Sequence, residues 1–156
     1  MKRQTGFTLI ELMVVIAILG ILAATAVGFQ AKYRQRTVGS EALVMMKQLL
    51  EGEIIYFLAH NEFFPKVAGG ANDIWVLHSG GGTSAVDQQR ALDALNVAIP
   101  DGHLLDFHIY RDAVDPAGSP VTVEITSVGN FDLFPGVPHI KGTVDSKGKM
   151  KGPDPF

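Results

Sequence analysis

Residues 6–29 read GFTLIELMVVIAILGILAATAVGF, and from Leu12 to Phe29 no side chain is charged. Eighteen residues rising about 1.5 Å each make roughly 27 Å of helix, close to the hydrocarbon thickness of a bilayer. Lys2 and Arg3 precede the stretch; Lys32, Arg34 and Arg36 follow it. A secretory signal peptide places its small-residue cleavage site after the apolar run. Here the plausible cut lies before it, between Gly6 and Phe7, so the apolar segment would survive processing. Basic residues flank the span on both sides, and the positive-inside rule leaves its orientation undecided.

Glu11 sits just inside this segment. A carboxylate in a spanning helix costs about 2.5 to 3.5 kcal/mol on insertion scales, a cost for which a bare anchor has no use. The residues alone leave two roles open: a functional charge, or a carboxylate solvated at headgroup depth. The run Gly6-Phe7-Thr8-Leu9-Ile10-Glu11-Leu12 resembles the type IV prepilin signature. That resemblance implies a short basic leader, Met1 to Gly6, removed by a dedicated peptidase, and N-methylation of the new terminus at Phe7. It also implies a role for Glu11 in assembly, its charge meeting the N-terminal amine of a neighbouring subunit. Such a pairing is physically reasonable, because an unpaired charge in an apolar bundle is costly and a placed partner relieves it.

Helical periodicity continues past the span. Val38, Ala42, Leu43, Met45, Met46, Leu49, Leu50, Ile54, Tyr56 and Phe57 fall on one arc, with Glu41, Lys47, Gln48, Glu51 and Glu62 opposite. One helix from about Phe7 to His60 is predicted, and it resembles the long N-terminal spine of the family. Gly20, Gly28, Gly39 and Gly52 are each expected to weaken it by about 1 kcal/mol relative to Ala. Gly20 and Gly28 are candidate points of flexibility; the family often has proline where Gly28 stands, and for Gly20 close helix packing is the other explanation. Tyr56 to Pro65 is similar to the family's aromatic helix end followed by proline.

Beyond Pro65 the pattern predicts a short amphipathic helix over Ser84–Ala98, with Ser84 and Asp87 as a capping box and Leu92, Leu95 and Val97 as apolar contacts. Strand composition follows at Leu104–Tyr110, Val121–Val128 and His139–Val144. Asp145 to Gly148 reads as a hairpin turn into Lys149–Lys151. Three or four antiparallel strands on the spine make an α+β head.

Little in the composition points to chemistry. The chain has no cysteine, and its net charge of -3 argues against nucleic acid as the main partner. His103 and His108 are five apart, on opposite faces of a strand, and no HxH or HExxH spacing occurs. No metal site or cofactor is expected from the residues. Calcium enters only through the resemblance, since major pseudopilins of type II secretion bind it in a C-terminal loop; Asp112, Asp115 and Asp132 are available but lack EF-hand spacing. His78 to Ser84 lacks the lysine of a P-loop, and Ser79 lies in no GxSxG elbow. Glu53 falls mid-arc on the spine and needs a partner, for which Arg90 and Arg111 are the candidates.

The expected organisation is a leader at 1–6, a transmembrane and filament-core helix at 7–34, and a periplasmic head at 35–156. The expected function is that of a non-enzymatic pilus subunit polymerising through its N-terminal helix. Two alternatives stand beside it: a pseudopilin of type II secretion, and a single-span protein with a periplasmic binding head that never polymerises. The resemblance implies further copies, minor pilins or pseudopilins, the prepilin peptidase, an inner-membrane assembly platform and the membrane as partners. It implies an inner-membrane location, then a surface pilus or periplasmic pseudopilus.

Overall fold

The computed structural model describes residues 7–66, 73–77, 85–99, 104–111, 120–129 and 131–155. The chain divides into two units at Arg34 and Gln35. Helix α1, Leu9–His60, passes through both. In the first unit none of the described residues, Phe7 to Arg34, is buried.

In the second unit α1 is one-sided. Val38, Ala42, Met45, Met46, Leu49, Leu50 and Tyr56 are buried, while Lys47, Gln48 and Glu51 are exposed. Leu43, expected on the buried arc, is instead 36 % exposed, and Ile54 and Phe57 are only partly buried. The apolar arc is wider than the face the sheet covers, so its margins stay wet. Asn61 ends the helix in the left-handed conformation, φ 57°, its N–H donating to the Phe57 carbonyl at 2.7 Å. Asparagine tolerates that conformation better than most residues do.

The head adds β1 (Ile74–Val76), α2 (Ala85–Leu95), β2 (Leu105–Arg111), β3 (Val121–Ser127), β4 (His139–Val144) and β5 (Met150–Pro155). The strands form one sheet in chain order, every neighbour antiparallel. This is an α+β fold of the type IV pilin kind. Alternation sends Leu105, Phe107 and Ile109 inward, with Asp106, His108 and Tyr110 on the other face. Phe107 lies opposite Ile125, and Ile125 opposite Ile140, so the inward residues stack into one layer of the core.

Strand β1 was not expected, because three residues are too few to show a period. β5 runs further than expected. In α2, Leu95 is buried, as is Val97 beyond it, but Leu92, expected as an apolar contact, is 37 % exposed. Ser84, the expected cap, lies outside the described residues, as do His78 to Thr83, His103, Asp112 and Asp115. The Asp145 turn closes as expected: Gly148 N–H donates to the Asp145 carbonyl at 2.9 Å, and Gly148 takes φ 74°.

Two of the helix glycines also serve as close-contact points. A Cβ on Gly39 would lie 2.5 Å from the Leu133 carbonyl oxygen, and one on Gly52 would lie 2.8 Å from that of Leu95. Both are contact points where backbone meets α1 directly. Alanine at Gly39 gains about 1 kcal/mol of helix propensity but must push backbone aside, costing about 1 to 3 kcal/mol. Gly39→Ala should therefore lower the head's melting temperature, followed by circular dichroism on the full chain in detergent. Gly28→Ala should leave it unchanged, since nothing lies within 4 Å of a Cβ there. A Gly39→Ala melting temperature at or above wild type would show that Leu133 can retreat freely.

Candidate assembly site

Helix α1 opens with a reciprocal cap. Glu11 Oε2 accepts from the Thr8 N–H at 2.9 Å and from the Thr8 hydroxyl at 2.8 Å. In return the Glu11 N–H donates to Thr8 Oγ1 at 3.3 Å. This is a capping box, Thr-x-x-Glu, which satisfies amides that no earlier turn can serve and sets a carboxylate at the positive end of the helix dipole. The pattern was visible in the sequence, but its reading missed Thr8. Phe7 precedes the cap and is 78 % exposed. Phe7 and Glu11 thus flank one turn, while Gly6 lies outside the described residues. Gly20 and Gly28 are exposed on the helix, and a Cβ on either would meet nothing within 4 Å.

The second carboxylate of α1 to draw notice, Glu53, is fully buried. Its Oε2 accepts from the Phe64 N–H at 3.1 Å, and its Oε1 has no hydrogen-bond partner. Of the two arginines expected to serve it, Arg90 pairs with Asp87 at 2.8 Å. Arg111 is buried and points Nη1 at the carbonyls of Phe63, Pro65 and Lys66, 3.1 to 3.5 Å away, acting on Glu53 through its charge. The direct partner is a backbone amide that spacing could not reveal, because it comes from the chain turning back after Asn61. Burial pushes the Glu53 carboxyl up to about 8, against the pull of Phe64 and Arg111. The aromatic helix end closes over this site: Phe57 stacks on Phe63 at 4.6 Å, and Tyr56 meets Phe64 edge-on at 5.7 Å.

Among the described residues no group of three or more His, Asp or Glu side chains could hold a metal ion. Asp132 Oδ2 accepts from the Gly136 N–H at 3.1 Å, a turn contact. His108 meets Asp73 at 3.2 Å and lies between Trp75 and Tyr110.

Residues 1–27 match the family described as the prokaryotic N-terminal methylation motif. The chain is 47 % identical over 60 residues to a fimbrial protein of Neisseria meningitidis, which is 38 % of this chain and 35 % of the relative. It is 47 % identical over 55 residues to a type IV major pilin protein of Myxococcus xanthus, 35 % of this chain and 25 % of the relative. With a fimbrial protein of Pseudomonas aeruginosa it shares 56 % identity over 43 residues, 28 % of each chain. The matched part is therefore between a quarter and about a third of the relatives' length. No solved structure matches the chain.

The raised Glu53 carboxyl has a signed consequence. Between its ordinary value of 4.5 and about 8, the folded chain keeps a proton that the unfolded chain has lost. Stability from this group is complete below about 4.5 and falls as pH rises, by up to about 1.4 kcal/mol per pH unit, until it levels above about 8. Glu53→Gln should remove that slope while keeping an acceptor for Phe64. Denaturant titrations of both chains between pH 5 and 9 measure the difference, which cancels the opposing contribution of His108, whose burial holds it below its usual value. Parallel pH profiles would mean that the carboxyl is ionised in the fold.

Proposed function

We propose that this chain, which belongs to the type IV prepilin family through its N-terminal segment, is a structural subunit of a pilus and works by polymerising rather than by turning over a substrate. The observation that carries the proposal is the first unit: every described residue from Phe7 to Arg34 is exposed, and between Phe7 and Ala31 the one charged side chain is Glu11. Such a surface is incompatible with water and needs lipid first, then other helices of its own kind. The relatives named above, all fimbrial proteins or major pilins, favour a pilus over a secretion pseudopilus.

In this reading a peptidase removes Met1 to Gly6 while the span is in the inner membrane, and the freed amine of Phe7 is methylated. The head, from about residue 35, stands in the periplasm and later forms the filament's outer surface. In the lone subunit Glu11 is held by its own Thr8, which gives the carboxylate hydrogen bonds without a second chain. In the filament the amine of a neighbouring Phe7 joins it, and the cost of leaving either charge unpaired in an apolar bundle enforces register. Gly20 and Gly28 leave the helix free to approach its neighbours closely or to loosen as they pack.

Two outcomes test this. Mass spectrometry of the mature protein should find an N-terminus at Phe7 with a methylated amine; a chain beginning at Met1, or cut after Ala24 or Ala26, would remove the prepilin reading. Glu11→Ala should keep membrane insertion and processing, since it takes a charge out of the lipid. It should abolish sheared filaments, because the Phe7 amine then lacks its partner at a loss of about 3 to 5 kcal/mol per subunit. Wild-type filament yield from that variant would return Glu11 to a helix-capping role alone.

A further inference from the structure

The outward face of the sheet, away from α1, is chemically lopsided. At the β1 edge Trp75 stacks on His108 with ring centroids 3.5 Å apart and planes 13° apart, and His108 stacks on Tyr110 at 4.2 Å. Beside this ladder lies a dent of about 180 Å³ lined by Trp75, Leu77, Asp106, His108, Glu124 and Thr126. Burial holds the His108 ring below its usual value, so it is uncharged at neutral pH. Asp73, Asp106 and Glu124 stand around it, and Lys141 is held by Glu124 at 3.2 Å. Asp73 gives one oxygen to His108, and its other oxygen is buried without a partner.

The opposite edge is basic. Lys147, Lys149 and Lys151 of the β4–β5 hairpin are all exposed. Asp145 in the hairpin turn accepts from the N–H groups of Lys147 and Lys149 at 2.9 Å each, and the hairpin's other acid, Asp154, lies further along β5 in register with Lys141. Lys151 lies in register with Thr143, Thr143 with Thr122, and Thr122 with Tyr110, which places Lys151 and Tyr110 on the same outward face. One sheet thus carries an acidic aromatic dent at one edge and a cluster of ammonium groups at the other.

We propose that the two edges dock on each other between copies of this chain, the hairpin lysines of one subunit entering the dent beside Trp75 of the next. An ammonium group is attracted both by the face of an indole and by the surrounding carboxylates, and a dent screens that attraction less than open surface does. Nucleic acid fits neither the sign of the dent nor its size. Strand-to-strand pairing is disfavoured as well, since β5 exposes Lys151 and carries Pro153, which has no N–H. Where a pair of subunits makes this contact once, one dent and one lysine cluster stay free, and repetition extends an open array. The inference rests on the polymerisation reading and adds to it a second contact, between heads.

Because the chain has no cysteine, the contact can be read by crosslinking in intact filaments. Thr126→Cys lines the dent and Ser146→Cys sits at the hairpin tip; neither removes a charge. Oxidised filaments of the double variant should give a ladder of dimers, trimers and longer species on denaturing gels, and each single variant should not. Reversing Lys147, Lys149 and Lys151 to glutamate in that background should cut the ladder roughly tenfold, and adding Asp106→Lys should restore part of it. In cysteine-free filaments the same triple reversal should lower the salt concentration at which shear breaks them. Filaments that form without a ladder, or whose ladder and salt resistance ignore the triple reversal, overturn the docking and leave polymerisation standing. A wild-type chain that forms no filament overturns polymerisation itself, and the docking with it.

Discussion

Burial of one face of α1, from Val38 to Tyr56, is the interaction on which the head depends. The inward residues of β2, β3 and β4 share one buried core with it, and a sheet with one apolar face is not stable alone in water. The fit is close enough to exclude side chains at selected points. Gly39 and Gly52 let the backbones at Leu133 and Leu95 come against the helix, and a Cβ on Gly142 would lie 2.8 Å from both Leu50 and Met46. Small residues on both sides of the contact therefore set how near helix and sheet approach, and bulk at Met46, Leu49, Leu50 and Phe107 fills what remains.

The same helix carries two carboxylates in apolar settings and treats them differently. Glu11 stands at a helix start, where backbone amides without intrahelical partners are available, and Thr8 offers both an N–H and a hydroxyl. Glu53 stands mid-helix, where the amides of its own helix are already engaged, so it takes one from Phe64 as the chain turns back and lets burial raise its proton affinity. Position along the helix, more than residue type, decides which solution is open. Arg111, drawn to the same corner, bonds three carbonyls of the returning chain and so ties β2 to the segment after α1.

Charge on the sheet follows a similar logic. Alternation in β2 commits Asp106, His108 and Tyr110 to the outward face, and antiparallel register then lines His108 up with Trp75 on one side and Glu124 on the other. A ladder of this kind arises from pairing across strands and cannot be seen along any one of them. Its partner lysines sit past β4, where a turn stabilised by Asp145 presents them to solvent.

Sequence alone determined the long helix, the uncovered apolar segment with Glu11 inside it, the three longer strands and the Asp145 turn. Each of these is a local pattern: a run, a 3.6-residue period, a two-residue alternation or a turn composition, and local patterns are written in order along the chain. Strand β1 was too short to show a period, and Leu43 and Leu92 turned out wetter than their apolar character implied because neighbours, not composition, decide where an arc stops being covered. Only the tertiary structure decided that Glu53 answers to the Phe64 amide, that Gly39 and Gly52 are points of close contact, and that Trp75, His108 and Glu124 stand in one row. Those facts depend on which distant segments meet, and meeting is set by the packing of one apolar helix face against one apolar sheet face, a choice made by the whole core at once.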